Sequence, residues 1–196
     1  MSLSKLLSTK IILASKSPRR KQLLEQMGFD VFVEPIDVEE TFPENIDIED
    51  VAEYLAMKKS ENYTKELGDN SILVTSDTIV VVDNIILGKP QNEQEAKEFL
   101  RMLSSKTHKV ITGCCLRNNH NKTRHFSQKT IVKFKDLSQG EIEYYVNKFK
   151  PFDKAGAYGI QEWIGIMGIE NIQGDYYNVV GFPCNKFFDL AKEITE

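Results

Sequence analysis

Six consecutive residues, Ser15-Lys16-Ser17-Pro18-Arg19-Arg20, put two hydroxyls and three cations where a short apolar run gives way to a helical pattern. The start of a helix presents unpaired N–H groups and the positive end of its dipole, both of which favour an anion. Guanidinium forks add bidentate donors matched to phosphate oxygens, and the hydroxyls of Ser15 and Ser17 can serve the remaining acceptors. The cluster is a candidate polyphosphate cradle, although it lacks the glycines of a P-loop. A Ser-Pro helix start carrying two solvated arginines would use the same residues.

A second group centres on Asp77, which interrupts an apolar stretch between Thr75-Ser76 and Thr78-Ile79-Val80-Val81-Val82. A carboxylate so placed is held near the interior and needs a hydrogen-bond network, a metal ion or an ion pair. Lys89, in Gly88-Lys89-Pro90 at the end of a returning hairpin strand, is expected to approach the same region. A carboxylate that orients or deprotonates water, or holds Mg²⁺, and a lysine that neutralises developing charge suit phosphoanhydride hydrolysis. A buried structural Asp–Lys pair is the competing reading. Asp37, Glu39 and Glu40 form an acidic loop whose oxygens suit Mg²⁺ or Mn²⁺, and Lys58 and Lys59 close a helical stripe. By themselves these last residues describe a solvated surface.

The elements that must position these groups can be read from periodicity and caps. Ile11 to Ala14 is a buried strand, and Ser17, Pro18, the stripe Leu23, Leu24 and Met27, and Gly28 bound a helix. Val31 to Val33 is strand-prone. Helical spacing of Ile48, Val51, Ala52, Leu55 and Ala56 predicts a helix from Asp47 to about Leu67. Strand segments Ile72–Thr75 and Thr78–Val82 flank Asp77, and Asp83-Asn84 turns the chain into Ile85–Leu87. Glu93–Leu103 is an amphipathic helix, Lys109–Leu116 and Lys129–Phe134 are strands, and Ser138 with Glu141 forms a capping box for a helix to Phe149. A Gly-rich stretch precedes a closing helix from Asn185 to Glu193. Helices alternating with strands, some paired through tight turns, predict an α/β fold with a mixed sheet and helices on its faces.

No repeat or Gly/Ser linker divides the 196 residues, so a single unit over 1–196 is expected. The formal charge of −4 argues against direct nucleic-acid binding. No apolar run approaches the roughly 20 residues that span a bilayer, and Met1 to Lys10 lacks a leader's long apolar core, so neither a membrane nor export is expected. Three cysteines, two of them adjacent, suit reduced thiols in the cytoplasm. His108, His120 and His125 read as a hairpin-edge residue and two loop residues without a catalytic role.

Leu13-Ala14-Ser15-Lys16-Ser17-Pro18-Arg19-Arg20, Ser76-Asp77-Thr78-Ile79-Val80, Gly88-Lys89-Pro90, Asp153-Lys154-Ala155-Gly156-Ala157-Tyr158-Gly159-Ile160-Gln161 and Asn178-Val179-Val180-Gly181-Phe182-Pro183 run in that order. From about Ile11 to Leu190 the chain resembles the Maf (septum-formation inhibitor-like) nucleotide pyrophosphatases. The resemblance implies an elongated mixed β-sheet flanked by helices, with two lobes and a central cleft, akin to inosine triphosphate pyrophosphatases. It also implies divalent-metal-dependent hydrolysis of nucleoside triphosphates to the monophosphate and pyrophosphate, by water attack at the α-phosphorus. On matching positions, Asp77 is the expected proton acceptor, with Lys89 and Glu40 beside it in catalysis. Glu40 and Asp77 are the expected ligands of Mg²⁺ or Mn²⁺. Ser15, Ser17, Arg19, Arg20, Lys59, Thr78 and Gln161 are the expected substrate contacts, Gln161 toward the base. A homodimer is expected, as is common in the family.

The resemblance also separates two branches. Arg19, Thr78 and Gln161 match the dTTP/UTP pattern rather than the 7-methyl-GTP one, which carries Trp, Gln and Glu there. A glutamine offers both a donor and an acceptor, as a uracil or thymine edge requires, and Ala155, Gly156, Ala157 and Gly159 allow close backbone approach. Phe182 replaces the usual Leu, and Trp163 stands where the family often has glycine, either stacking on substrate or packing in the core. A catalytically silent nucleotide-binding regulator of cell division is the alternative function. Asp77 together with Lys89 speaks against it, because a sensor needs no activated water.

Overall fold

A short helix α1 (Leu3–Leu7) leads into β1 (Lys10–Leu13), α2 (Pro18–Gln26) and β2 (Asp30–Val33) in the computed structural model, which describes residues 2–195. Met1 and Glu196, the end residues of the expected 1–196 unit, lie outside the described residues. β1 runs parallel to β2 on one side and to a longer strand, β3 (Ser71–Val82), on the other, with Ile11 opposite both Val31 and Ile72. α2 has the expected limits: Ser17 is the extended N-cap, Pro18 the first helical residue, and Gly28, at φ +92°, follows the C-cap Met27.

The next helix, α3 (Val51–Glu61), stops short of the expected Leu67. The Asn62 side chain donates to the Lys58 carbonyl at 2.8 Å, and Tyr63 turns inward to bond Glu34 at 2.9 Å. Local capping therefore ends the helix short of that limit. β3 runs unbroken through Asp77 instead of forming two segments. Asp83 and Asn84, at φ +50° and +61°, turn it into the antiparallel β4 (Ile85–Leu87).

α4 (Glu93–Leu103) follows, its N-cap Asn92 accepting from the Glu95 N–H. β5 (Thr107–Asn118) and β6 (Thr123–Phe134) extend further than their apolar runs suggest. α5 (Gln139–Phe149) begins with the predicted capping box. A 3₁₀ turn at Ala155–Ala157, α6 (Trp163–Gly168), β7 (Ile169–Gln173) and α7 (Tyr176–Val180) occupy the stretch read only as Gly-rich, and α8 (Cys184–Thr195) closes the chain. Sheet order is β2-β1-β3-β5-β6-β7, with β4 also on β3, so the mixed sheet flanked by helices is as expected.

Two compact units divide these elements: Met1–Asp77, Thr112–Gln128 and Gly181–Glu196 in one, and Thr78–Ile111 and Lys129–Val180 in the other. In the first, α3 lies so close to β5 that a Cβ on Gly113 would stand 2.1 Å from the Ala52 carbonyl oxygen. Thr75 of β3 donates to the Ala56 carbonyl at 2.6 Å, and Ser76 to that of Gly113 at 2.8 Å. Side-chain hydroxyls thus satisfy helix and strand carbonyls buried at this contact. Phe187 of α8 packs against Phe29 and Phe182, which places Phe182 in the core.

The second unit has its own core of Val80, Leu100, Phe134, Tyr145 and Ile164. His108 belongs to it and not to a hairpin edge. It is 1 % exposed, stacked on Phe134, with Nε2 2.8 Å from the Tyr158 hydroxyl. Burial pulls its pKa down to about 3, so the ring is neutral at physiological pH. Trp163 meets Tyr144 edge-on with ring centroids 4.9 Å apart.

Candidate active site

In the first unit, β1 ends at Leu13, and Ser15 and Ser17 are half-buried in the turn into α2. Ser15 Oγ accepts the Ser17 N–H at 3.2 Å, which shapes the start of the helix. Arg19 is half-buried on the first turn of α2, whereas Arg20 points inward and is buried. Its Nε donates to the Gly181 carbonyl at 3.0 Å, and Nη1 to the Ser76 carbonyl at 2.6 Å and to Ser15 Oγ at 3.2 Å. One planar fork therefore joins the β1–α2 turn, the residue before Asp77 and the segment preceding α8. Burial lowers the Arg20 pKa from its ordinary value, opposed by the charge of Asp77. A guanidinium remains protonated across the physiological range.

Asp77 is 8 % exposed. Its carboxylate accepts a short hydrogen bond from the Lys59 ammonium, which also meets Glu40 Oε1 at 2.7 Å. Lys59 stands on the last turn of α3, the helix whose first turn meets the sheet at Gly113. Its neighbour Lys58 donates to the Thr41 carbonyl and hydroxyl at 2.9 and 2.8 Å, tying down the loop that carries Glu40. Two successive lysines thus bring an exposed acidic loop to a buried carboxylate.

The Asp77 pKa is raised, chiefly by burial and further by the nearby charge of Glu40, while Lys59 and Arg20 pull the other way. An acid so tuned is more basic than a solvated aspartate, which suits a general base. Elsewhere in the acidic loop, Asp37 pairs with Lys16 at 2.5 Å at the surface.

Metal binding can be tested against these residues. Among the described residues no three His, Cys, Asp or Glu side chains converge as a closed cage. Glu40 and Asp77 do converge, since one ammonium bridges both carboxylates. An oxygen pair able to share one cation fits Mg²⁺ or Mn²⁺, which take one or two carboxylates together with phosphate oxygens and water.

The other predicted residues belong to the second unit. Thr78 is half-buried in β3, and Lys89 is exposed just after β4. The Gly156 N–H donates to the Gly88 carbonyl at 3.0 Å, which holds the Lys89 loop against the 3₁₀ turn. Gln161 is exposed at the end of the same motif.

A network beside Gln161 was not foreseen. Lys154, with its side chain 10 % exposed, pairs with Asp153 at 2.8 Å and Glu162 at 3.1 Å, and Tyr145 of α5 bonds Glu162. A lysine next to Asp153 in sequence gives no sign that its second partner lies eight residues on and folds back.

The family model described as Maf-like protein matches residues 10–194. A Phocaeicola vulgatus protein named dTTP/UTP pyrophosphatase is 45 % identical over 186 residues, covering 94 % of this chain and 96 % of that one. A Porphyromonas gingivalis protein of the same name is 45 % identical over 192 residues, covering 95 % of each. Two solved structures share the fold: the Staphylococcus aureus Ham1 protein (TM-score 0.52, 17 % identity) and a HAM1 protein from Coxiella burnetii (TM-score 0.51, 15 % identity). Each match covers 94 % of this chain and 99 % of the other. With one family model spanning nearly all of the sequence, and relatives this similar along their whole length, the chain belongs to the Maf-like protein family.

Proposed function

We propose that this protein hydrolyses dTTP, UTP and modified pyrimidine triphosphates to the nucleoside monophosphate and pyrophosphate. The observation that carries the reading is the buried Asp77 with its raised pKa, joined through Lys59 to Glu40 and standing next to the residue that Arg20 grips. The names of relatives about 45 % identical over nearly their full length supply the substrate class.

In this mechanism Asp77 accepts a proton from the water that attacks the α-phosphorus, and pyrophosphate leaves. Lys59 favours the ionised form of Asp77 and, once a triphosphate arrives, shares its positive charge with the phosphate oxygens. Ser15, Ser17 and Arg19 donate to the phosphates from the start of α2, where the helix dipole adds to the attraction. Arg20 keeps that turn and the Asp77 strand in register while contributing its own charge. Lys89 neutralises charge developing on the leaving pyrophosphate, Thr78 contacts the substrate, and Gln161 bonds the pyrimidine edge. A divalent Mg²⁺ or Mn²⁺ held by Glu40 and Asp77 would supply charge neutralisation to the phosphates. The reading extends to a homodimer working in the cytoplasm; no described helix is long and apolar enough to cross a membrane.

Pyrophosphate release from dTTP and UTP, with Mg²⁺ or Mn²⁺ added, tests the proposal. The wild-type chain is expected to release it, and Asp77→Asn to be slower by at least about 100-fold while still binding nucleotide. Undiminished hydrolysis by Asp77→Asn removes the assigned base. Binding without turnover in the wild type would favour the silent regulator.

A further inference from the structure

Gln161 stands in a four-residue turn, Gly159 to Glu162, closed by the Glu162 N–H donating to the Gly159 carbonyl at 3.0 Å. The two ends of that turn meet on a single side chain. The Gly159 N–H donates to the Tyr145 hydroxyl oxygen at 3.0 Å, and the same hydroxyl donates to the Glu162 carboxylate. The carboxylate's other oxygen lies 3.1 Å from the Lys154 ammonium. Glu162 and Lys154 fold over Gly159 so closely that a Cβ there would lie 2.9 Å from Glu162 Cδ and 3.1 Å from Lys154 Cε.

Glu162 is the N-cap residue of α6, yet its side chain makes no cap hydrogen bond and turns back to Tyr145 and Lys154. Tyr145 is fully buried on α5 and stacked on Phe149, so it has no freedom to follow a moving loop. Burial, with Glu162 adding to it, pushes the phenol pKa far above its ordinary value, so its proton stays available to donate. The next residue inward, Ile160, is buried in the core, while Gln161 faces solvent. Hydrogen bonds and burial tie the turn down on both sides of the one side chain it displays.

We propose that Tyr145, Glu162 and Lys154 are positioning residues that hold Gln161 ready for the base and so set the preference between bases. The inference rests on the reading of Gln161 as the base contact. A glutamine held in place discriminates by leaving its amide unpaired against the wrong edge, whereas a mobile one can turn to accommodate it.

The test compares kcat and KM for dTTP, UTP and dATP in the full-length wild type, Tyr145→Phe, Glu162→Gln and Gln161→Ala, with a melting temperature for each. Tyr145→Phe removes one oxygen and keeps the ring packing. It is expected to raise KM for dTTP and UTP about tenfold with kcat within about twofold, the signature of lost binding rather than lost chemistry. Constants for dATP stay unchanged, so the pyrimidine preference shrinks toward that of Gln161→Ala. Glu162→Gln keeps an acceptor for the phenol but weakens the Lys154 contact, and should fall between wild type and Tyr145→Phe. If Tyr145→Phe does not fold, Glu162→Gln alone carries the test through the same selective rise in KM. A preference that survives in the folded clamp variants while Gln161→Ala loses it overturns the clamp and leaves the Gln161 reading standing. A preference unchanged in Gln161→Ala removes that reading, and the clamp with it.

Discussion

In its proposed role Asp77 must be ionised to take a proton, and burial opposes that ionisation. Lys59 reconciles the two requirements by supplying a positive charge inside hydrogen-bonding distance. Because the native pKa is raised, Asp77 favours folding most when protonated, below the ordinary carboxylate range, and that contribution is lost as pH rises through the raised value. Activity has the opposite sign: kcat/KM should fall as pH drops through a limb lying above the ordinary aspartate value of 3.8. Glu40 is one of the charges raising that pKa, so Glu40→Gln should move the limb to lower pH; a pH–rate profile reads both. Arg20 makes a separate prediction. Its three acceptors sit around one planar fork, a geometry an ammonium cannot copy. Arg20→Lys should cost about 1–3 kcal/mol in urea unfolding, from carbonyls left without donors, and should lower kcat/KM as well. Arg20 and Asp77 were legible as candidate residues in the sequence. Two of Arg20's three acceptors were not, because Ser76 and Gly181 contribute backbone carbonyls that carry no residue-type signal.

Elements explain how so few side chains are held in place. α3 meets β5 at Gly113 through Ala52, on the same helix as Lys59, and a methyl group there meets helix backbone rather than a yielding side chain. Gly113→Ala should destabilise by about 1–3 kcal/mol or more in urea and lower activity further by moving Lys59 from Asp77. At the start of α5, hydrogen bonds from Ser138 hold the Glu141 carboxyl down to about 2. Its stabilisation is therefore complete above the usual carboxylate range and fades as pH falls toward 2. Glu141→Gln should cost about 1 kcal/mol at pH 7, with the gap from wild type narrowing below pH 5 in pH-dependent unfolding. Elements with chemical punctuation were the legible ones: Ser17-Pro18 opened α2, and Ser138 with Glu141 opened α5. α3 was read too long because its apolar spacing, which ends at Ala56, does not mark the Asn62 cap. α6, β7 and α7 were missed because elements of five or six residues leave too few repeats for a period to show.

For the whole molecule, the alternation of helices and strands was enough to predict a mixed sheet with flanking helices, and among the described residues seven strands carry it. Two lobes were expected from the family resemblance alone; the place of the division was not legible in the residues, because the boundary falls inside β3, between Asp77 and Thr78, with no linker to mark it. Substrate binding should be visible as global stability. A non-hydrolysable α,β-methylene analogue of dTTP at 100 times its Kd should add about 2.7 kcal/mol to unfolding, raising Tm. Removing Mg²⁺ with a chelator should shrink that shift if Glu40 and Asp77 hold the metal against the phosphates. The central claim is that water activated by Asp77 attacks the α-phosphorus, and turnover of dTTP in ¹⁸O-labelled water tests it most directly. The account predicts one label in the monophosphate and unlabelled pyrophosphate; label in the pyrophosphate, or release of labelled orthophosphate, would contradict it.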